Sequence, residues 1–257
     1  MRYFSIDPPA KIGEIKRIVG PDVKHIRNVL RLKSGDEIVV IDGKGFEYEA
    51  RIVEVASKHI DLMILKRYYS KSESPIRITV AQAYLKDKKM DILIRQLTEL
   101  GIHRWIPFYC DRSIPRPEKK RLPTRVARWR KIAGEAVKQC RRGAIPEIGD
   151  ITSFEDLVNM SQAFEIKFIF WEKESLPIQY YVDPGKFNQQ SEMLMVMGPE
   201  GGFTDQEIDF AKNKDFCSVG LGPRVLRAET ATIVACTLIQ YMLGDLGEKN
   251  LDKNTTL

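Results

Sequence analysis

Cysteine and histidine are scarce in this chain of 257 residues, which has four cysteines and three histidines. They are scattered along the sequence: Cys110, Cys140, Cys217, Cys236, His25, His59 and His103. No two cysteines form a CxxC pair, so the sequence predicts neither a metal site nor a disulfide framework. Four reduced thiols in a cytoplasmic protein are the expected arrangement.

Long hydrophobic runs are also lacking. No apolar stretch reaches the roughly 20 residues that a membrane-spanning helix needs, and the first residues lack the apolar core of a signal peptide. Hydrophobic residues make up 43% of the chain and charged residues 30%, as is usual for globular proteins. The length fits one large or two modest domains, and we expect no membrane partner.

Acidic residues are nearly absent from one segment. Residues 112–142 contain 12 Lys and Arg against 2 Asp and Glu, whereas residues 143–257 contain 9 against 18. The whole chain carries a net charge of +6, so this segment holds more positive charge than the molecule has in excess. A polyanion such as a nucleic acid is the natural partner. The alternative is a solvated, basic helix face.

Residues 1–68 have a β-rich pattern. Alternating apolar residues on either side of the turn at residues 42–45 predict a hairpin, and a further alternating strand follows from Ile60. Helical spacing interrupts the strands over residues 22–32. Short strands at this spacing predict a small barrel or curled sheet. Residues 69–75 are polar and Ser-rich, which predicts a linker.

From residue 76 onward, strand and helix patterns alternate. Continuously apolar strands are predicted at residues 167–171 and 193–197, as in buried parallel sheets. A Thr204 cap with Glu207 at the third helical position predicts the start of a helix. The alternation predicts an α/β domain with a parallel sheet over residues 76–245, and a polar tail at residues 246–257.

Two glycine-rich loops follow apolar strands in this second region, at residues 198–203 and 220–231. Loops beyond the carboxyl ends of parallel strands are the usual ligand sites of α/β proteins. Glycine lets a ligand approach the backbone closely, although tight strand–helix turns would explain a single such loop. Neither loop matches a P-loop or a GxGxxG fingerprint, so the pattern alone does not name the ligand.

The two loops together resemble the paired signatures of the SPOUT-class methyltransferases. Within that class, residues 198–204 and 221–231 are similar to the RsmE-like bacterial family that methylates N3 of a uridine in 16S ribosomal RNA. Four other stretches also match this family, at residues 25–36, 89–91, 99–101 and 136–140. The resemblance extends from residue 1 to about residue 245.

The resemblance implies a fold, a cofactor and partners. The fold would be an α/β SPOUT methyltransferase domain with a trefoil knot, preceded by a small PUA-like RNA-binding β-barrel. The cofactor would be S-adenosylmethionine, and the expected partners are 16S ribosomal RNA or the small ribosomal subunit and a second copy of the chain in a homodimer. Two alternatives stay open, a non-catalytic RNA-binding assembly factor and a SPOUT-class transfer RNA methyltransferase.

The resemblance also nominates site residues. The expected catalytic pair is Arg227, which would neutralise charge on the uracil or a phosphate, and Glu229, which would accept a proton, orient Arg227 or serve only as a first-turn carboxylate. The residues expected to bind the cofactor lie in the two loops: Met197, Gly198, Glu200, Gly201, Gly202, Leu221, Gly222, Val225, Leu226, Arg227 and Ala231. The charge pattern, rather than the resemblance, nominates the residues expected to bind RNA, which lie in the basic segment and the first domain: Arg27, Arg31, Arg112, Arg116, Arg128, Lys131, Arg141 and Arg142.

Overall fold

The computed structural model describes residues 3–86, 88–114, 118–182 and 191–247. The chain forms two units. The first comprises Met1–Glu73 and Ala133–Ile145, and the second comprises Ser74–Ile132 and Pro146–Leu257. Within the described ranges, no helix has both the length and the apolar character needed to cross a bilayer.

The first unit is built on a five-stranded sheet. Its strands are β1 (Phe4–Ser5), β2 (Ile15–Val19), β3 (Glu37–Ile41), β4 (Phe46–Val55) and β5 (His59–Tyr69). They lie in the order β1-β3-β4-β5-β2, with β1 parallel to β3 and the other pairs antiparallel. The hairpin predicted around residues 42–45 is therefore confirmed as the β3–β4 pair.

The β3–β4 turn is held by one carboxylate. Asp42 accepts hydrogen bonds from the backbone N–H groups of Lys44 and Phe46, at 2.8 and 3.2 Å, and from the hydroxyl of Tyr48 at 2.9 Å. Gly43 and Gly45 adopt positive φ angles in this turn, a conformation that costs glycine little. The turn chemistry read from the sequence is thus realised by an Asx-type arrangement.

The helical segment of the first unit winds differently from the prediction. An α-helical turn, α1 (Pro21–Lys24), continues as a π-helical stretch at His25–Leu30. Ile26 is fully buried as expected, but Val29 and Leu30 are exposed. A π turn contains more residues than an α turn. Apolar residues at α-helical spacing therefore no longer lie on one face of the helix after Ile26.

Two buried cations fix residues 133–145 in the first unit. The ammonium of Lys138 lies 3.1 Å from the carboxylate of Asp22, and the guanidinium of Arg142 lies 2.7 Å from that of Glu73. The interpretation of residues 76–245 as one uninterrupted domain therefore differs from the structure. The predicted linker also differs, because residues 69–75 include the last residue of β5 and the buried Glu73 carboxylate.

The second unit is built on a parallel sheet, as predicted. Its strands are β6 (Arg77–Ala83), β7 (Arg104–Tyr109), β8 (Glu147–Ile148), β9 (Thr152–Ser153), β10 (Ile166–Phe170), β11 (Glu192–Met197) and β12 (Cys217–Val219). They lie in the order β12-β10-β11-β6-β7-β8, with β9 also paired to β7. Every pair is parallel, so the carboxyl ends of these strands share one edge.

The remaining helices are α2 (Lys89–Glu99), α3 (Leu122–Cys140), α4 (Phe154–Asn159), α5 (Asp205–Lys212) and α6 (Ala228–Leu243). Helix α2 buries Met90, Leu93, Ile94 and Leu97, which is the spacing of an amphipathic helix with one apolar face. Helix α3 crosses from the second unit to the first at residue 132. Most of the predicted polar tail, residues 248–257, lies outside the described residues.

Candidate functional site

The first glycine-rich loop connects β11 to α5, and a capping box ends it. The Thr204 hydroxyl accepts a hydrogen bond from the backbone N–H of Glu207 at 3.1 Å. The Glu207 carboxylate in return accepts from the Thr204 N–H at 2.8 Å and from the Asp111 N–H at 2.9 Å. The predicted cap is therefore confirmed, and the far end of the loop is firmly placed.

Glycine is required at specific points of this loop. Gly202 has φ +68°, and a Cβ there would lie 2.6 Å from a carboxylate oxygen of Glu172. A Cβ at Gly198 would lie 3.1 Å from the ring of Phe203. In the second loop, Gly222 has φ +95° with no atom within 4 Å of the Cβ position. A side chain would be strained at Gly202 and Gly222.

The two loops enclose a cavity of about 520 Å³ at the carboxyl edge of the sheet. This volume is within the range of small-molecule sites. All eleven residues nominated from the sequence as cofactor contacts line it. The cavity is also lined by residues that the sequence did not nominate as cofactor contacts: Lys89, Phe170, Pro199, Phe203, Val219, Arg224 and Ala228. Trp171 and Glu172, which directly follow β10, line it as well.

A cluster of three charges connects the cavity wall to α2. The ammonium of Lys89 lies 3.1 Å from a carboxylate oxygen of Glu200, in the first loop, and 3.1 Å from one of Glu229, in the first turn of α6. Burial raises the pKa of Glu229, but its backbone hydrogen bond and Lys89 outweigh that effect and lower the pKa below 4.5. Burial lowers the pKa of Lys89, but the two carboxylates outweigh it and raise the pKa above 10.5. Lys89 and Glu229 are therefore both ionised near neutral pH.

Arg112 is exposed, and it also contacts the first glycine-rich loop. Its guanidinium donates to the carbonyl oxygens of Gly201 and Phe203, at 3.1 and 3.2 Å. The sequence nominated Arg112 as a phosphate contact because it opens the basic segment. One of its guanidinium nitrogens also holds the backbone of the first loop, a contact that charge counting does not reveal.

The other basic residues separate into exposed and buried groups. Those exposed to solvent are Arg27, Arg31, Arg128, Lys131 and Arg141. Of these, Arg128 pairs with Asp91 at 2.6 Å. Arg142 is buried, and its guanidinium pairs with Glu73, so its assignment as an RNA contact is wrong. Arg116 lies outside the described residues.

One group of side chains among the described residues has the spacing of metal ligands: Glu54, His59 and Asp61. The carboxylate of Asp61 is already engaged by both donors of the Arg17 guanidinium, at 2.7 and 2.8 Å. This group lies in the sheet of the first unit, and the cavity is lined by residues of the second unit.

Comparisons with known proteins define the class. The model of the RNA methyltransferase domain matches residues 72–240, and that of the RNA methyltransferase PUA domain matches residues 19–65. The first match covers more than half of the chain, so the chain belongs to the RNA methyltransferase family, with a PUA domain at its N-terminus.

Curated relatives narrow the class to one kind of enzyme. The ribosomal RNA small subunit methyltransferase E of Bacillus subtilis is 33% identical over 245 residues, which cover 93% of this chain and 96% of that protein. The protein of the same name from Aquifex aeolicus is 32% identical over 220 residues, which cover 85% of this chain and 90% of that protein.

Solved structures agree with these relatives. The ribosomal RNA small subunit methyltransferase E of Neisseria gonorrhoeae, solved bound to S-adenosyl methionine, is 28% identical with a TM-score of 0.83. The match covers 95% of this chain and 99% of that one. A Legionella pneumophila protein solved with the same cofactor is also 28% identical with a TM-score of 0.83, covering 95% of this chain and 98% of that one.

Proposed function

We propose that this chain transfers the methyl group of S-adenosylmethionine to N3 of a uridine in 16S ribosomal RNA. The observation that carries the proposal is the cavity enclosed by the two glycine-rich loops, in a chain whose relatives are named small-subunit ribosomal RNA methyltransferases. The assignment of the methyl group to N3 of a uridine rests on the resemblance of the two loops to the uridine-N3 family.

The cavity fits S-adenosylmethionine on physical grounds. Leu221, Val225 and Leu226 line the cavity and offer apolar surface to an adenine ring, and glycine in the loops allows the ring edge to approach backbone N–H and C=O groups. The missing side chain at Gly222 leaves open space on the cavity wall. When bound, the cofactor supplies an electrophilic methyl group on a sulfonium.

The reaction requires that uracil N3 lose its proton, so that its lone pair can form the bond to the methyl carbon as the carbon–sulfur bond breaks. We assign two residues to this step. Arg227 is exposed at the start of α6 and can stabilise the negative charge that develops on the uracil or a phosphate. Glu229, ionised at neutral pH, receives the proton or orients Arg227, whose charge lowers its pKa further.

RNA docking is assigned to the exposed cations. Arg27 and Arg31 lie in the PUA domain, and Arg128, Lys131 and Arg141 lie along or just after α3. Arginine and lysine on a surface bind phosphates and set the register of the nucleic acid without reading its sequence. A ribosomal RNA substrate also supports a cytoplasmic location for the enzyme.

A homodimer is part of the proposal, and α6 supports it. After Glu229 this helix has no charged residue. Its buried residues are Thr232, Ala235, Cys236, Ile239 and Gln240, whereas Leu238 is 39% and Tyr241 68% exposed. An exposed apolar helix face is typical of an interface. The trefoil knot that the resemblance implies is also part of the proposal.

One reconstitution tests the function. Small ribosomal subunits from cells lacking this protein are incubated with the purified chain and S-adenosylmethionine, and their nucleosides are analysed by mass spectrometry. The expected result is the appearance of 3-methyluridine in 16S ribosomal RNA. RNA binding without cofactor binding would identify a non-catalytic assembly factor. Methylation of transfer RNA alone would identify a transfer RNA methyltransferase. Either outcome contradicts the proposal.

The dimer is tested separately by light scattering. The expected mass is about twice the 29.5 kDa of one chain, because twofold dimers are the commonest closed assembly. Substitution of Tyr241 by Glu is expected to reduce the mass to that of a monomer. A wild-type enzyme that is active as a monomer would contradict this part of the proposal.

A further inference from the structure

Lys89 is connected to both cofactor loops, although neither loop is near it in sequence. Glu200 is 111 residues and Glu229 140 residues further along the chain. The backbone N–H of Lys86 also donates to the Glu200 carboxylate at 3.3 Å. The start of α2 therefore meets the first loop at two points, and the beginning of α6, which follows the second loop, at one.

Helix stability does not explain a lysine at this position. Lys89 is the first residue of α2, where the helix macrodipole disfavours positive charge by roughly 0.3–1 kcal/mol. The nearby pair of carboxylates offsets this cost. Glu229 occupies the first turn of α6, where a negative charge is favourable. The electrostatic gain therefore depends on all three elements being placed together.

The three charged side chains are partly buried, so the energy of their interaction depends strongly on the distances between them. Side-chain exposure is 32% for Lys89, 26% for Glu200 and 27% for Glu229. The Glu229 oxygen that lies 3.1 Å from the Lys89 ammonium is itself fully buried, so Lys89 is the cation that compensates it. Lys89 and Glu200 line the cavity. A displacement of either loop would thus separate a partly desolvated ion pair.

We propose that Lys89 is a positioning residue that holds the two glycine-rich loops in their cofactor-binding arrangement through Glu200 and Glu229. This inference rests on the proposed function, since it assigns how the same cavity is kept in shape. Lys89 acts through the loops, so its loss weakens cofactor binding and leaves RNA binding intact.

The test uses cofactor binding by calorimetry with S-adenosylmethionine and with S-adenosylhomocysteine. Lys89→Met is expected to weaken binding of both ligands about tenfold or more. Lys89→Arg, which keeps the charge, is expected to bind within about threefold of wild type. The matched control is Lys66→Met, which removes another lysine–glutamate pair, at 2.7 Å from Glu49 in the first unit, and is expected to change nothing.

A double-mutant cycle separates positioning from general damage. Glu229→Gln in the Lys89→Met background is expected to cost much less than Glu229→Gln alone, because residues that share one ion pair are not additive. Additive losses would overturn the proposal, as would wild-type cofactor affinity in a folded Lys89→Met protein. If Lys89→Met fails to fold, Glu200→Gln removes one arm of the cluster and is expected to weaken cofactor binding.

The outcomes are distinguishable from failure of the proposed function. Wild-type protein that binds neither ligand would reject the methyltransferase assignment itself. Wild-type protein that binds both, with Lys89→Met equally tight, would reject only the role of Lys89. RNA affinity and its salt dependence in Lys89→Met are expected to equal those of wild type, and a parallel loss of RNA binding would show that Lys89 acts on the substrate instead.

Discussion

The Nη1 nitrogen of Arg112 lies 3.1 Å from the carbonyl oxygen of Gly201. Arg112 follows β7, and Gly201 belongs to the loop that follows β11, so the hydrogen bond connects two loops at the carboxyl edge of one sheet. A second bond, to the carbonyl oxygen of Phe203, spans the same loop. The loop backbone is held by a charged donor, which makes each of these bonds stronger than a neutral one.

Replacement of Arg112 by Met is expected to weaken S-adenosylmethionine binding about tenfold, since the loop loses bonds worth roughly 1.5–3 kcal/mol each when a charged group takes part. The salt dependence of RNA binding is expected to stay at its wild-type slope. Calorimetry and salt titrations measure the two effects. Arg121→Met, at an exposed arginine that contacts Glu118 at 3.8 Å, is the control. A reduced RNA slope in Arg112→Met would restore Arg112 as a phosphate contact.

Gly222 and Gly35 form a natural pair for testing the second loop. Both have φ +95°, and neither has an atom within 4 Å of its Cβ position. Alanine at either position is expected to lower the free energy of unfolding by about 1–2 kcal/mol through backbone strain. Only Gly222→Ala is expected to weaken cofactor binding, because Gly222 lines the cavity. Equal cofactor affinities in the two variants would place the cofactor elsewhere.

Arg141 and Arg142 are neighbours with opposite surroundings. Arg141→Gln is expected to leave stability unchanged and to reduce the log–log salt slope of RNA binding by roughly 0.7–0.9, the value for one phosphate contact. Arg142→Met is expected to cost about 3–5 kcal/mol of stability, because it leaves the Glu73 carboxylate buried without its cation. Chemical denaturation measures the stability of each variant, and filter binding at several salt concentrations measures its salt slope. A destabilised Arg141→Gln would contradict the assignment of that residue to the surface.

The Lys89 cluster predicts a flat pH response. A lowered pKa at Glu229 means that its contribution is complete above about 4.5 and is lost as the pH falls through the folded value. A raised pKa at Lys89 means that its contribution is complete below 10.5 and is lost as the pH rises through the folded value. The ratio of cofactor Kd between Lys89→Met and wild type is therefore expected to be constant between about pH 5.5 and 9.5. A ratio that changes near neutral pH would show that a different group titrates in the cluster.

Local patterns in the sequence predicted most of the second unit. The apolar runs of β10 and β11 and the capped start of α5 are patterns formed by residues close together in the chain. The two glycine loops were recognisable for the same reason, since the signature that identifies them is local. All eleven cofactor candidates therefore lie on one cavity.

Residues whose roles depend on distant partners could not be predicted. The charge of Arg142 gave no sign of Glu73, 69 residues earlier, so a buried ion pair was read as a basic surface. Lys89 was noticed only as part of a stretch that matches the family, because its partners are separated from it by more than a hundred residues. The stretch His25–Leu30 shows a further limit, since helical spacing does not distinguish α winding from π winding.

The assignment of residues 133–145 to the first unit has a consequence for dissecting this protein. The PUA domain cannot be separated by cutting the chain at one point. The unit that contains it also includes residues 133–145, which follow the first 59 residues of the second unit in the sequence. A fragment beginning at residue 74 would keep Lys138 and Arg142 but lack Asp22 and Glu73, so it would lose both of these buried ion pairs. Transplanting the first unit onto another enzyme would therefore require two grafts, one for each of its two chain segments.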